Sequence, residues 1–175
     1  MPQPVPAIPQ VPAGWSPVVA DFSAWVTNPF SFLAQPPVFR AELHAAQALT
    51  GGAYNLVNLD TVLEDPYSGW SASTHTWTCP AGCSGTYEAT LSGFTANQAT
   101  TTGQCAAVLA LNGIVWQYGS DDWAVSGGDS GTSGSCPVPL VTGDAVQLWL
   151  FSSASVSTPG TAGQYPSIEL AWISS

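Results

Sequence analysis

Gly128-Asp129-Ser130-Gly131 is a tetrapeptide of the kind that surrounds a nucleophilic serine, and His75 precedes it with Asp121 and Asp122 between. The order His, Asp, Ser would suit a hydroxyl activated by an imidazole that a carboxylate orients. The continuation does not suit it. Thr132-Ser133 stand where an oxyanion loop wants glycines, and His75 lies in a Ser/Thr-rich run. A Gly/Ser-rich acidic stretch also produces this tetrapeptide by chance. A triad is a matter of geometry rather than residue order, so no catalytic residue is assigned and an envelope-degrading hydrolase is kept only as a distant alternative.

Asp121, Asp122 and Asp129 are the second group with chemical potential. Three carboxylates in one loop could ligate Ca²⁺, a hard cation that takes oxygen ligands; a solvated acidic loop is the simpler account. Asp60, Glu64 and Asp65 form another acidic group, but Asp65-Pro66 reads as a turn. The two histidines, His44 and His75, are far apart in sequence and give a catalytic zinc site little support. No other metal or cofactor is implied.

Four cysteines stand at Cys79, Cys83, Cys105 and Cys136. Only Cys79 and Cys83 are close in sequence, whereas structural zinc usually wants two close pairs. Three disulfide pairings are open; the favoured one joins Cys79 to Cys83 across a turn and Cys105 to Cys136 between strand ends. Such bonds, in a chain that opens without a basic n-region and apolar h-region, would imply release from the cell by another route such as lysis.

Trp116, Tyr118 and Trp123 flank the acidic loop. Flat apolar rings beside Asp121 and Asp122 are what a carbohydrate surface needs: faces for pyranose rings and acceptors for hydroxyls. The competing account buries Trp116 or Tyr118 in the core.

Charge limits the partners. The 175 residues contain one cation, Arg40, against eleven acids, for a net charge of −10. No basic patch can neutralise phosphates, which argues against nucleic acid and anionic membrane surfaces. No apolar run is long enough to cross a bilayer. Hydrophobic residues reach 45%, enough for a proper core, while charged residues are only 7%, so Ser, Thr, Gly, Asn and Gln must solvate the surface.

The elements that must position these residues are strands. Residues 1–20 hold prolines at 2, 4, 6, 9, 12 and 17 and no charged side chain, so they read as an extended arm. Val5, Ile8, Val11 and Trp15 would let it dock along a partner. Residues 21–37 suggest a short helical neck, with Asp21 and Asn28-Pro29 as helix starts and Pro36-Pro37 as the stop. Phe30, Phe32 and Leu33 are too apolar for a free linker and would pack on the domain or against another copy. From residue 38 to 175 the pattern is β. Strands are expected over 38–45, 53–56, 58–62, 77–79, 85–93, 106–112, 114–118, 138–141, 145–151 and 167–173, with loops over 121–135 and 152–164. Asn112-Gly113 is the strongest hairpin signal, and Thr142-Gly143-Asp144 suggests a second hairpin joining Val138–Leu140 to Ala145–Phe151. That second strand is apolar on both faces and is expected to be central in its sheet.

The order of the pieces resembles the C1q/TNF-like jelly roll, specifically versions found as virion proteins of actinobacterial phages. The resemblance rests on Val57-Asn58-Leu59-Asp60-Thr61-Val62, on Tyr67 to Trp70 followed by Thr76-Trp77-Thr78-Cys79-Pro80 and Gly85-Thr86-Tyr87, and on Leu109 to Ile114. Gly143-Asp144-Ala145-Val146-Gln147-Leu148 and the closing Ser167 to Ile173 complete it. It covers about residues 40–175, and the segment from Asn28 to Pro37 is similar to the leader of minor tail proteins. The resemblance implies an all-β, two-sheet jelly-roll sandwich that forms a homotrimer and binds rather than catalyses. It further implies a minor tail protein held to other virion proteins by residues 1–37, presenting loops to a host-surface glycan. A head fibre or capsid decoration protein is the alternative. Independently, Ser167 to Ile173 carries apolar residues on both faces. Ala171, Trp172 and Ile173 are therefore expected at a contact between copies.

Overall fold

A computed structural model describes residues 35–96, 103–124 and 129–174, with the side chains of Trp123 and Ala124 left out. The docking-arm residues Val5, Ile8, Val11 and Trp15 and the neck residues Phe30, Phe32 and Leu33 lie outside the described residues.

Every regular element in this part is a strand: β1 (Val38–Glu42), β2 (Ala48–Leu49), β3 (Ala53–Leu56), β4 (Thr61–Glu64), β5 (Trp70–Ser71), β6 (Thr76–Thr78) and β7 (Gly85–Thr95). Then follow β8 (Gly103–Leu111), β9 (Ile114–Ala124), β10 (Ser130–Leu140), β11 (Ala145–Ser152), β12 (Val156–Ser157) and β13 (Ser167–Ser174). β2 and β12 pair with each other, and the other strands form two sheets that face each other. The first has the order β10-β7-β13-β1-β4; the second has the order β5-β6-β11-β8-β9, with β3 also paired to β11. The chain is thus an all-β, two-sheet jelly-roll sandwich.

Period-2 sequence places the core between the sheets. Tyr87, Ala89 and Leu91 of β7 and Ile168 and Leu170 of β13 come from the first sheet; Leu109 of β8 and Val146, Leu148 and Leu150 of β11 come from the second, and all are buried. Phe39 stacks on Trp70 and Trp77 at ring separations of 5.3 and 5.9 Å, and Trp77 meets Tyr87 edge-on at 5.7 Å. These rings tie β1 and β7 to β5 and β6 across the sandwich.

The Asn112-Gly113 hairpin is present: both residues have positive φ, 53° and 75°, and β8 pairs with β9 on either side. The second expected hairpin is not. β10 pairs with β7 in the first sheet, while β11 pairs with β3, β6 and β8 in the second. Thr142-Gly143-Asp144 is an arch between sheets. Asp144 Oδ2 accepts from the Val141 amide at 2.8 Å, and the Gly143 amide donates to the Cys79 carbonyl at 2.9 Å. Leu140 and Val146 can therefore face the same core from opposite sides, and local turn chemistry serves an arch as well as a hairpin. The centrality of β11 stands, since β8 flanks it on one side and β6 and β3 on the other.

The loop expected over 121–135 is largely strand. β9 runs on to Ala124, and β10 pairs with β7 residue by residue from Ser130 opposite Thr95 to Leu140 opposite Gly85. Small residues serve a close approach here. A Cβ on Gly134 would stand 2.5 Å from Gly119 Cα, so the β9 and β10 backbones nearly touch and close one edge of the sandwich. Ser120 Oγ donates to the Ser133 carbonyl at 2.8 Å, and Thr132 Oγ1 donates to the Ser120 carbonyl.

The end of the neck is pinned to the sandwich: Tyr67 Oη donates to the Gln35 carbonyl at 2.8 Å, and the Trp172 amide to the Pro37 carbonyl at 3.0 Å. Along β13, Ile168 and Leu170 face the core and Trp172 packs against it. The other face carries Ser167, Glu169, Ala171 and Ile173; Glu169 pairs with Arg40 at 3.2 Å, and Ile173 is 53% exposed. Trp172 is engaged within its own subunit, which leaves Ala171 and Ile173 as the apolar residues of this strand turned outward.

Candidate functional site

The outer face of the second sheet carries an aromatic groove. On β11 the inward Val146, Leu148 and Leu150 alternate with Gln147, Trp149 and Phe151, which point away from the core. The neighbouring β8 presents Ala106, Val108 and Ala110 on the same face, all small and all buried. Register then sets the walls. Tyr54 of β3 lies opposite Phe151, Tyr118 of β9 opposite Val108, and Asp121 opposite Ala106.

Tyr54 is the centre of the cluster. Its ring lies 5.4 Å from Phe151, 6.2 Å from Trp149 and 6.2 Å from Tyr118, all tilted, and its hydroxyl is hydrogen-bonded to that of Tyr118. The two tyrosines reach over β11 and β8 from either side, yet remain 44% and 45% exposed. Beside them is an open depression of about 540 Å³ lined by Tyr54, Gln104, Ala106, Tyr118, Gly119, Asp121 and Phe151. That size falls within the range of about 300–1,000 Å³ common for small-molecule sites.

The polar rim is ordered. Gln104 Nε2 donates to Asp121 Oδ2 at 2.9 Å, which holds the carboxylate and the amide side by side. Farther along β11, Trp149 Nε1 donates to Gln147 Oε1 at 3.2 Å, and Gln147 Nε2 donates to Thr76 Oγ1 at 2.8 Å. The Tyr54 hydroxyl first, then partial burial and the charge of Asp121, hold the Tyr118 phenol above the usual tyrosine value. The arrangement offers stacking faces, two hydroxyls, an amide and a carboxylate. It holds no nucleophile paired with a base.

Of the residues singled out from sequence, Tyr118 and Asp121 line this groove. Trp116, 46% exposed, sits on the same strand; the side chain of Trp123 lies outside the described residues. Asp122 points elsewhere: its Oδ2 accepts from Ser130 Oγ at 2.9 Å and the Gly131 amide at 3.0 Å, stitching β9 to β10. Asp121 and Asp122 thus serve different faces of β9. Among the described residues no set of three or more His, Cys, Asp or Glu is placed to hold a metal ion. Tyr54, Gln104 and Phe151 were missed by sequence reasoning. The outward alternation of β11 could have pointed to Phe151, but nothing local ties Tyr54 or Gln104 to Tyr118.

Ser130 and His75 are not neighbours. His75 Nδ1 lies 3.2 Å from the Leu59 carbonyl, beside β6, which pairs with the Ala145–Val146 end of β11; Asp122 and Ser130 lie toward the Ser152 end.

The cysteines correct the expected bridges, since all four are free thiols. The Cys105 thiol is hydrogen-bonded to the Thr95 side chain, whereas Cys136 lies opposite Ala89, six residues away along β7 and so about 20 Å distant. A disulfide needs Cα atoms within about 7 Å. Cys79 and Cys83 are close, and the Cys79 thiol lies 3.5 Å from the Cys83 carbonyl with both thiols free. Burial pushes the Cys79 thiol up to about 11, reinforced by Cys83, and burial likewise pushes Cys105 up to about 11. Both stay protonated at neutral pH, and the thiol is a poor nucleophile and a poor metal ligand.

No protein-family model matches this sequence. No curated protein matches it either. Solved structures do. The globular domain of zebrafish complement 1qA protein superposes with a TM-score of 0.53 at 14% identity, over 78% of this chain and 96% of that one. Murine APRIL, in its crystal structure at pH 8.5, superposes with a TM-score of 0.52 at 10% identity, over 78% of this chain and 98% of that one. At such identities the likeness is one of fold, and the fold is that of the C1q and TNF-type jelly roll.

Proposed function

We propose that this chain is a binding module of a phage virion, a trimeric minor tail protein that engages a glycan of the host surface through the groove on its second sheet. The observation that carries this reading is the meeting of Tyr54, Tyr118 and Phe151 over a floor of small β8 residues, with Gln104 and Asp121 held together at the rim. Exposed aromatic faces beside fixed acceptors suit a sugar ring and its hydroxyls. The virion setting draws on the motifs that resemble phage proteins of this fold and on the leader from Asn28 to Pro37. Trimeric assembly draws on the fold and on Ala171 and Ile173, which face outward on β13. Three copies would multiply a weak single-site affinity through simultaneous engagement. Residues 1–37 would attach the trimer to other virion proteins.

The test is titration of the full chain with host envelope polysaccharides, followed by NMR or calorimetry, alongside a Tyr118→Ala variant. Saturable binding weakened about tenfold or more by the variant supports the reading, since stacking on one ring contributes on the order of 1–2 kcal/mol. Binding unaffected by the variant refutes this location of the site. Native mass spectrometry checks assembly: a stable monomer at micromolar concentration removes the trimer. Labelled particles viewed by electron microscopy distinguish tail from head.

A further inference from the structure

We propose that the groove selects neutral, hydroxyl-rich sugars and rejects acidic ones, with Asp121 and Gln104 as the residues that read the ligand. The proposal rests on the glycan reading of the groove and adds the chemical class. Its first ground is charge. Arg40 is the only Lys or Arg in the chain, and it is committed to Glu169 at 3.2 Å on the first sheet, away from the groove. His44 and His75 are placed elsewhere, His44 stacked on Tyr165 and His75 beside Leu59. A uronate, sialate or phosphorylated sugar entering the groove would bring its charge against Asp121 with no cation from this chain to receive it. Like charges brought together at this open rim repel, most strongly at low salt.

The second ground is the hydrogen-bonding inventory. Gln104 Nε2 spends one hydrogen on Asp121 Oδ2, so the rim presents more acceptors (Asp121 Oδ1, Gln104 Oε1 and the lone pairs of two tyrosine hydroxyls) than donors, which are the second amide hydrogen and one tyrosine hydroxyl hydrogen. A ligand that matches must chiefly donate. Vicinal sugar hydroxyls do so, and a hydroxyl donating to a carboxylate makes a stronger bond than one donating to a neutral acceptor. The adjacent Asp121 and Gln104 oxygens suit two neighbouring hydroxyls of one ring while its apolar face rests on Tyr54, Tyr118 and Phe151. Asp121 and Gln104 are therefore specificity residues, and the aromatic rings supply sequence-blind affinity.

The experiment presents the full-length protein with matched neutral and carboxylated polysaccharides (a glucan or mannan against a polyuronate) at two salt concentrations. It repeats the titration with Asp121→Asn, Asp121→Lys and Gln104→Leu. Expected are saturable binding of a neutral polymer, no binding of the polyuronate, a loss of about tenfold or more for Asp121→Asn, and measurable polyuronate binding gained by Asp121→Lys. Near-UV circular dichroism confirms that each variant is folded. Polyuronate binding to the wild-type chain as tight as neutral binding, or an Asp121→Asn variant that keeps full affinity, overturns the selectivity while leaving the glycan site in place. Absence of any carbohydrate response at Tyr54, Tyr118 and Phe151 overturns the glycan reading itself.

Discussion

Tyr54 and Tyr118 join hydroxyl to hydroxyl across two intervening strands, although they are 64 residues apart in the chain. β3, β11, β8 and β9 lie side by side, and the outer two strands each send a ring inward over the small residues of β8. The contact links the groove to strand register, and it can be tested by titration.

The Tyr54 hydrogen bond, followed by partial burial, raises the Tyr118 phenol above its ordinary value near 10. A raised value means that the contact stabilises the fold fully below the unfolded tyrosine value and is lost as the pH rises through the folded one. Tyr118→Phe should therefore cost about 0.5–1 kcal/mol at neutral pH, at the low end for a hydrogen bond because the pair is half exposed. The gap between wild type and variant should narrow and close as the pH rises past the ordinary tyrosine value. Calorimetric melting temperatures from pH 7 to 11 check this; a gap that widens with pH is the contrary result.

Asp60 gives the opposite sign. Burial pushes its carboxyl up, but the amides of His44 and Ala45, each at 2.9 Å, the Thr61 hydroxyl and the nearby His44 outweigh burial and hold it below the usual value. Its contribution is present above the unfolded carboxylate value of about 4 and is lost as the pH falls through the folded one. Asp60→Asn is expected to lower stability by about 0.5 kcal/mol at pH 7, a value reduced for solvent screening of this exposed carboxylate, and by progressively less below pH 4. Urea denaturation at pH 7 and at pH 3 measures both.

Gly134 tests the closure of β9 on β10. A methyl group there would stand 2.5 Å from Gly119 Cα, with backbone and not a flexible side chain in its way. Gly134→Ala should destabilise by about 1–3 kcal/mol, as overpacking does. An unchanged unfolding midpoint would show that the two strands are farther apart than described.

The thiols supply a chemical check. Cys79 and Cys105 are buried with values pushed up to about 11 by burial, and burial also raises Cys83 and Cys136. Native protein at pH 8 should react slowly with a thiol reagent, and the half-buried Cys136 should react first. Denatured without reductant, the chain should show four thiols. A count of two or none by mass spectrometry would restore a bridge.

Much of the β architecture was legible in the sequence. The β pattern from residue 38 onward marked most of the strands, and Asn112-Gly113 marked the β8–β9 hairpin, because side-chain period and left-handed turn preference are local properties. The Gly/Ser run from Ser130 to Gly134 misled, because composition that suits a loop also suits two strands in close contact. Cys105 and Cys136 misled for a related reason: spacing along the chain carries no information about which sheet each strand joins.

The candidate site divides in the same way. Tyr118 and Asp121 could be picked out as an aromatic and an acceptor near one loop, and the near absence of cations argued against phosphate-rich partners. Tyr54, Gln104 and Phe151 joined them only through folding, since their strands are neighbours by long-range pairing. Residue types and their local period determined that this chain makes strands with one greasy side. Which strands meet, and hence which rings and carboxylates share a groove, was decided by packing two sheets around one core, where a pattern of period two names a face but never a partner.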